Sequence, residues 1–99
     1  MRLIYHPAVQ ADVEAAVAFY ESRVPGLGAG FIRELDEAIG AVLRAPDAWP
    51  IVKSGIRRYA MARFPYGIYY RCNTEEVRVL VLKHHHRRTE FGLRRNLDP

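Results

Sequence analysis

The chain has 99 residues, 49% of them hydrophobic, and a formal net charge of +4: the size of one domain with a thin core. A single cysteine, Cys72, excludes an internal disulfide and fits a reducing compartment. The first residues lack the apolar stretch and cleavage site of a secretory signal, and no apolar run is long enough to span a bilayer, so the expected location is cytoplasmic, with no membrane partner. The charge is divided. Residues 1–50 carry four Arg against seven acids, a balance of −3, and residues 51–99 carry eleven Lys or Arg against four acids, +7. A basic half suits a polyanion or an acidic protein. Arg outnumbers Lys thirteen to two, which favours phosphate or carboxylate recognition but also follows from a GC-rich genome.

Residues 2–5 are β-prone and read as an edge strand. Pro7 suits the first turn of a helix, and Val9, Val13, Ala16, Val17 and Tyr20 recur at helical spacing, so the first helix is placed at 7–23. Pro25-Gly26-Leu27-Gly28 breaks it. In the second helix Phe31, Leu35, Ala38, Ile39 and Val42 form the apolar stripe, Arg33 and Glu37 stand at i,i+4, and Pro46 ends it. Gly40 costs about 1 kcal/mol against Ala, a cost that close packing on the first helix would explain. The helical acids have solvent-face spacing and offer no chemistry. Residues 47–55, with Trp49-Pro50, read as a loop.

From residue 56 the period becomes that of strands. Residues 56–64, 68–72 and 77–85 form an antiparallel meander, turning at Pro65-Tyr66-Gly67 and at 73–76. Arg78 is the only polar residue from Val77 to Leu82, so the last strand is central and covered on both faces. Residues 89–97 form a short last helix anchored by Phe91 and Leu97. The fold class is α+β, in the order β-α-α-β-β-β-(α), as one domain over 1–99.

Three sets of side chains bear on chemistry. His84, His85 and His86 suggest a metal, but strand alternation lets only His84 and His86 share a face, and no neighbouring Cys or acid completes a set. No metal or cofactor is expected, and the plain alternative is a basic strand end meeting solvent. Arg57, Arg58, Arg63, Arg71 and Arg78 lie on strands about 4.8 Å apart and, with Arg87 and Arg88, could cradle a phosphate backbone. Cleavage by a ribose 2′-OH would need a base, an acid and cationic stabilisation, roles open to His84 or His86 and to Arg. Tyr59, Tyr66, Tyr69 and Tyr70 could stack on bases, or simply fill the sheet.

The order of elements and an ordered set of motifs resemble the RelE/ParE toxin superfamily of type II toxin–antitoxin systems, nearest its ParE-like, plasmid-stabilisation branch. The motifs are Phe19-Tyr20-Glu21, the Pro25–Gly28 turn, Phe31 through Glu37 to Ile39, and Pro46 with Trp49-Pro50. Most specific are Ile56-Arg57-Arg58, the run from Arg63 to Arg71, and the strand ending in His before Arg87-Arg88. The resemblance implies a growth inhibitor wrapped and neutralised by a cognate antitoxin, hence a hetero-oligomer. ParE-like members bind DNA gyrase; RelE-like members cut mRNA on the ribosome with scattered basic residues and a Tyr or His near the C-terminus. The tail after Arg88 has no Tyr or His, so the resemblance implies gyrase binding, with the mRNA endonuclease and a non-toxic partner-binding module as alternatives. The partner or target surface is assigned to Arg57, Arg58, Arg63, Tyr70, Arg71, His84, Arg87, Arg88 and Phe91. Arg63, Arg71 and His84 are the candidates for any catalysis.

Overall fold

The break at Pro25–Gly28 and the change of period after Gly55 divide the chain as its chemistry dictates. The computed structural model describes residues 1–98. The elements are β1 (Arg2–Tyr5), α1 (Val9–Arg23), α2 (Leu27–Arg44), β2 (Ile51–Lys53), β3 (Ile56–Ala60), β4 (Tyr66–Cys72), β5 (Glu76–His84) and a 3-10 helix, Leu93–Leu97. The five strands form one sheet in the order β1-β5-β4-β3-β2. β1 runs parallel to β5 and the other pairs are antiparallel. The α+β class, the edge position of β1 and the central, buried β5 are as expected. No described helix is long and apolar enough to cross a membrane.

Several boundaries differ from expectation. α1 starts two residues later than expected, because Ala8 N–H donates to His6 Nδ1 at 3.1 Å and holds a turn before the helix. Residues 47–55 are not all loop: Ile51–Lys53 form β2, an exposed edge strand too short to show a period. The β3–β4 turn falls at 61–65, closed by Met61 N–H to Tyr66 O at 2.9 Å, so Tyr66 and Gly67 belong to β4.

The helical hairpin is held tightly at its corner. Gly26 has φ +89°, and its N–H and that of Gly28 both donate to the Glu21 carboxylate at 3.0–3.1 Å. Glu21 thereby caps α2 from the preceding helix and satisfies N–H groups that the helix cannot. These two bonds hold its carboxyl below the ordinary range. A Cβ on Gly28 would stand 3.0 Å from Val17 Cγ1, whereas one on Gly40 would meet only the Arg44 side chain. The close approach of the helices is therefore at Gly28, not at Gly40.

One face of the sheet packs on the helices through Phe31, Val42, Ile68, Tyr70, Val77, Val79 and Leu82. Burying each large side chain contributes about 1.5–3 kcal/mol. Opposite Tyr69 and Tyr70 stand Val81 and Val79, so Leu80 is an extra residue, a β-bulge. The bulge resets the alternation: Val77, Val79 and Leu82 face the helices, while Leu80 and Val81 face the other way with Ile56 and Tyr69.

The tail covers that second face. Gly92, with φ +78°, sits directly on Val81, where a Cβ would come within 2.7 Å of Cγ2. Leu93 is buried beside it and Phe91 packs at the margin, but Leu97 is 78% exposed. The expected anchor pair is corrected: Leu93, not Leu97, holds the tail. Lys83 is buried, and its ammonium donates to the carbonyls of Arg88, Thr89 and Phe91 at 3.1, 2.5 and 3.0 Å.

β1 stops short of the end of β5. Its last pair is Tyr5 with Val79, and His6 N–H then donates to Val79 O at 2.8 Å. Past that point side chains replace a strand. Asp12 accepts Leu82 N–H at 3.2 Å, Arg95 donates to Leu80 O at 2.9 Å, and the two side chains pair at 2.7 Å. Glu34 likewise accepts Arg63 N–H and pairs with its guanidinium at 3.3 Å. Asp12 and Glu34 thus face inward, contrary to the solvent-face reading of the helical acids.

Candidate functional site

Beyond the end of β1, a cleft of about 240 Å³ opens between α1 and the C-terminal half of β5. Ala11 and Ala15 form one wall, Leu82 and His84 the other, and Tyr66 and Arg87 line it as well. The alanines leave this wall of α1 smooth. Ala11 and Ala15, with Ala18 one turn beyond the cleft, stand at i, i+4 and i+7 and form one exposed stripe of small side chains.

His84 is set by its neighbours. It pairs with Tyr66 across β4 and β5, and the two rings meet edge-on at 5.3 Å. His86 N–H donates to His84 Nδ1 at 3.0 Å. Nδ1 is therefore an acceptor, and in the neutral ring the proton resides on Nε2. His84 in this state offers a donor, suited to a carboxylate or phosphate, and no free base. The His86 ring lies 5.2 Å from that of His84, so the two share a side as expected, although His86 lies past the strand. His85 has its pKa lowered by burial and then by the positive fields of Arg58, His84 and His86.

The assigned arginines divide into two ends of the sheet. Arg87 stacks on Phe91 at 3.9 Å, and Arg88 is exposed beside it while its carbonyl is held by Lys83. Arg58 lays its stem across Gly67, within 3.3 Å of where a Cβ would stand. Gly67 pairs with Lys83, so the absence of a side chain there lets Arg58 reach the His end of β5. Arg63 lies in the turn joining β3 and β4, next to the same end, where Pro65 O accepts His85 N–H at 2.8 Å. Arg71 does not join them. It pairs with Arg78 at the far end of β4, five residues from Tyr66, about 17 Å at the rise of a strand. Arg57 donates to Trp49 O at 2.6 Å and is occupied within the fold.

Tyr70 is corrected from surface to core. It is 0% exposed, and its hydroxyl donates to Pro46 O at 2.6 Å. Burial, then Cys72, push its pKa up to about 12. Tyr69 is buried with the Lys83 ammonium 4.5 Å above its ring, Tyr59 packs edge-on against Trp49 at 4.7 Å, and Tyr66 packs among Tyr20, Phe31 and His84. The four tyrosines fill the sheet and supply no row of open rings for bases.

Among the described residues no group of three or more His, Cys, Asp and Glu could hold a metal ion. Sequence reasoning missed Asp12, Lys83 and the alanine wall. Helical spacing does not report a partner 83 residues away, such as Arg95 for Asp12. A signal for Lys83 was present: it ends an apolar strand run, where a buried ammonium needs several acceptors.

Comparison with known proteins bears on the whole arrangement. The profile described as "ParE toxin of type II toxin-antitoxin system, parDE" matches residues 3–89. Among solved structures, a chain of the chromosomal ParDE toxin–antitoxin system from P. aeruginosa superposes with a TM-score of 0.75 at 18% identity, covering 85% of this chain and 95% of that one. At that identity the likeness shows the fold alone. A search of curated proteins returned no match. With a family match that spans both the helical hairpin and the whole sheet, the chain belongs to the ParE toxin family of type II toxin–antitoxin systems.

Proposed function

We propose that this chain arrests growth by binding DNA gyrase and that a cognate antitoxin neutralises it by occupying the cleft between α1 and β5. The family match carries the reading. The geometry supports binding over strand scission: Arg71 is remote from His84, His84 Nδ1 is occupied, and the tyrosines are packed. The cleft suits an antitoxin segment with small apolar side chains toward Ala11 and Ala15 and a carboxylate toward His84 and Arg87. Residues Arg58, Arg63, Arg88 and Phe91 border the same end of the sheet and complete the proposed surface.

Supercoiling by purified gyrase is the test. Added protein is expected to stop it and to accumulate cleaved DNA. Full gyrase activity at saturating protein overturns the reading, and mRNA cleavage on translating ribosomes would replace it with the endonuclease. Ala15→Arg, on the exposed wall, is expected to abolish co-purification with the antitoxin encoded beside the toxin.

A further inference from the structure

The end of β5 carries a concentration of positive charge that the fold does not use. Arg58, Arg87 and Arg88 form no close ion pair with a carboxylate among the described residues; Arg88 adds only to the field that Lys53 already exerts on Glu90, and His84, His85 and His86 lie between the arginines. The acids at the margin are already committed: Asp12 is bound by Arg95 at 2.7 Å, and Glu90 by Lys53 at 2.7 Å. The mutual repulsion shows in His85, whose proton is disfavoured by Arg58 and by both neighbouring histidines after burial. Two devices hold the cations outward: Phe91 backs Arg87 at 3.9 Å, and the bare Gly67 lets Arg58 cross the sheet to this end.

We infer that this strand end is a binding surface for the phosphate backbone of duplex DNA, with Arg58, Arg87 and Arg88 as its fixed cations. A single strand would be read by stacking on exposed aromatics, and here Tyr69 and Tyr70 are buried and Phe91 is covered by Arg87. A projecting cluster of arginines with no open Tyr, Trp or Phe ring beside it, its exposed rings being only the imidazoles of His85 and His86, favours backbone binding, which is independent of sequence and steeply salt-dependent. The inference deepens the gyrase reading, since DNA held by gyrase is duplex. DNA binding is measured without the enzyme, so failure of one leaves the other standing.

The test is fluorescence anisotropy of a labelled duplex of about 25 base pairs titrated with the full chain at about 50 and 200 mM salt. The same titrations use a single strand of equal length and a poly-glutamate peptide. The wild type is expected to bind the duplex more tightly than either. In R58Q/R87Q/R88Q, duplex affinity at low salt should fall at least about tenfold, and the log–log salt slope should flatten by about 2 to 3. R58K/R87K/R88K keeps the charges and should stay within about threefold of wild type, because a backbone contact asks for charge more than for a bidentate fork. A melting midpoint close to wild type certifies that the glutamine variant folds. Duplex affinity that is absent, or unchanged in the glutamine variant, overturns the inference. So does tighter binding of poly-glutamate, which would give the surface to an acidic protein, or of the single strand.

Discussion

The two faces of the sheet are covered by different means. On one, the helical hairpin buries a continuous apolar layer in which Phe31, Val42, Ile68, Tyr70 and Val77 are wholly enclosed. On the other, a short tail contributes one buried side chain, Leu93, and is held mostly by polar ties. These are Lys83 to three carbonyls, Arg95 to Asp12 and Leu80 O, His6 to Asp98, and Lys53 to Glu90. Apolar burial over many residues is cooperative and is not screened by salt, whereas the tail's ties are few and largely electrostatic. The hairpin face therefore sets global stability, and the tail forms a unit that opens at lower free energy.

Substitutions at the two faces should separate them. Phe31→Ala, in the middle of the hairpin face, should lower the stability of the whole fold by about 3–5 kcal/mol in denaturant melts. Asp12→Ala leaves Leu82 N–H without its acceptor and Arg95, still bonded to Leu80 O, without its counter-ion, and should cost about 3 kcal/mol. Its mark in hydrogen exchange should be lost protection in residues 92–97 ahead of β4; simultaneous loss would mean that the two faces form one cooperative unit. Gly92→Ala combines a positive φ with a clash on Val81 and should cost about 2 kcal/mol, again first in the tail.

Smaller effects follow from protonation. Tyr70 keeps its proton in the fold up to about 12 and loses it near 10.0 when unfolded. Its contribution is complete below 10.0 and falls as pH rises through that window. Tyr70→Phe should lose about 1 kcal/mol with its hydrogen bond and flatten the alkaline decline of the melting midpoint. Glu21 works in the other direction. Its carboxyl lies below the ordinary 4.5, so its stabilisation is complete above 4.5 and is lost as pH falls through the depressed value. Glu21→Gln should converge with wild type in acid melts.

Periodicity made the helical hairpin, the meander and the central β5 legible in the sequence, because each buries a regular stripe. β2 was not, since three exposed residues carry no period. The bulge at Leu80 was not, since an inserted residue shows only against its partner strand. Tyr69 and Tyr70 are adjacent yet both buried, which alternation cannot foretell where both faces of a sheet are covered. The basic end of β5 was legible as a segment. The committed state of Arg57 and the distance of Arg71 depend on register, and the cleft beside α1 depends on where β1 stops.

The parallel pairing of β1 with β5 has a consequence for synthesis. Residues 2–5 find their partners only at 76–79, and Arg2 reaches Glu76 across a separation of 74 residues. Closing so long a loop is slow, and it waits for nearly the whole sheet to be made. A nascent chain that has finished its helical hairpin therefore has neither the edge, the cleft nor the basic strand end. The surface proposed to bind partners comes into being late, after most of the chain has been made.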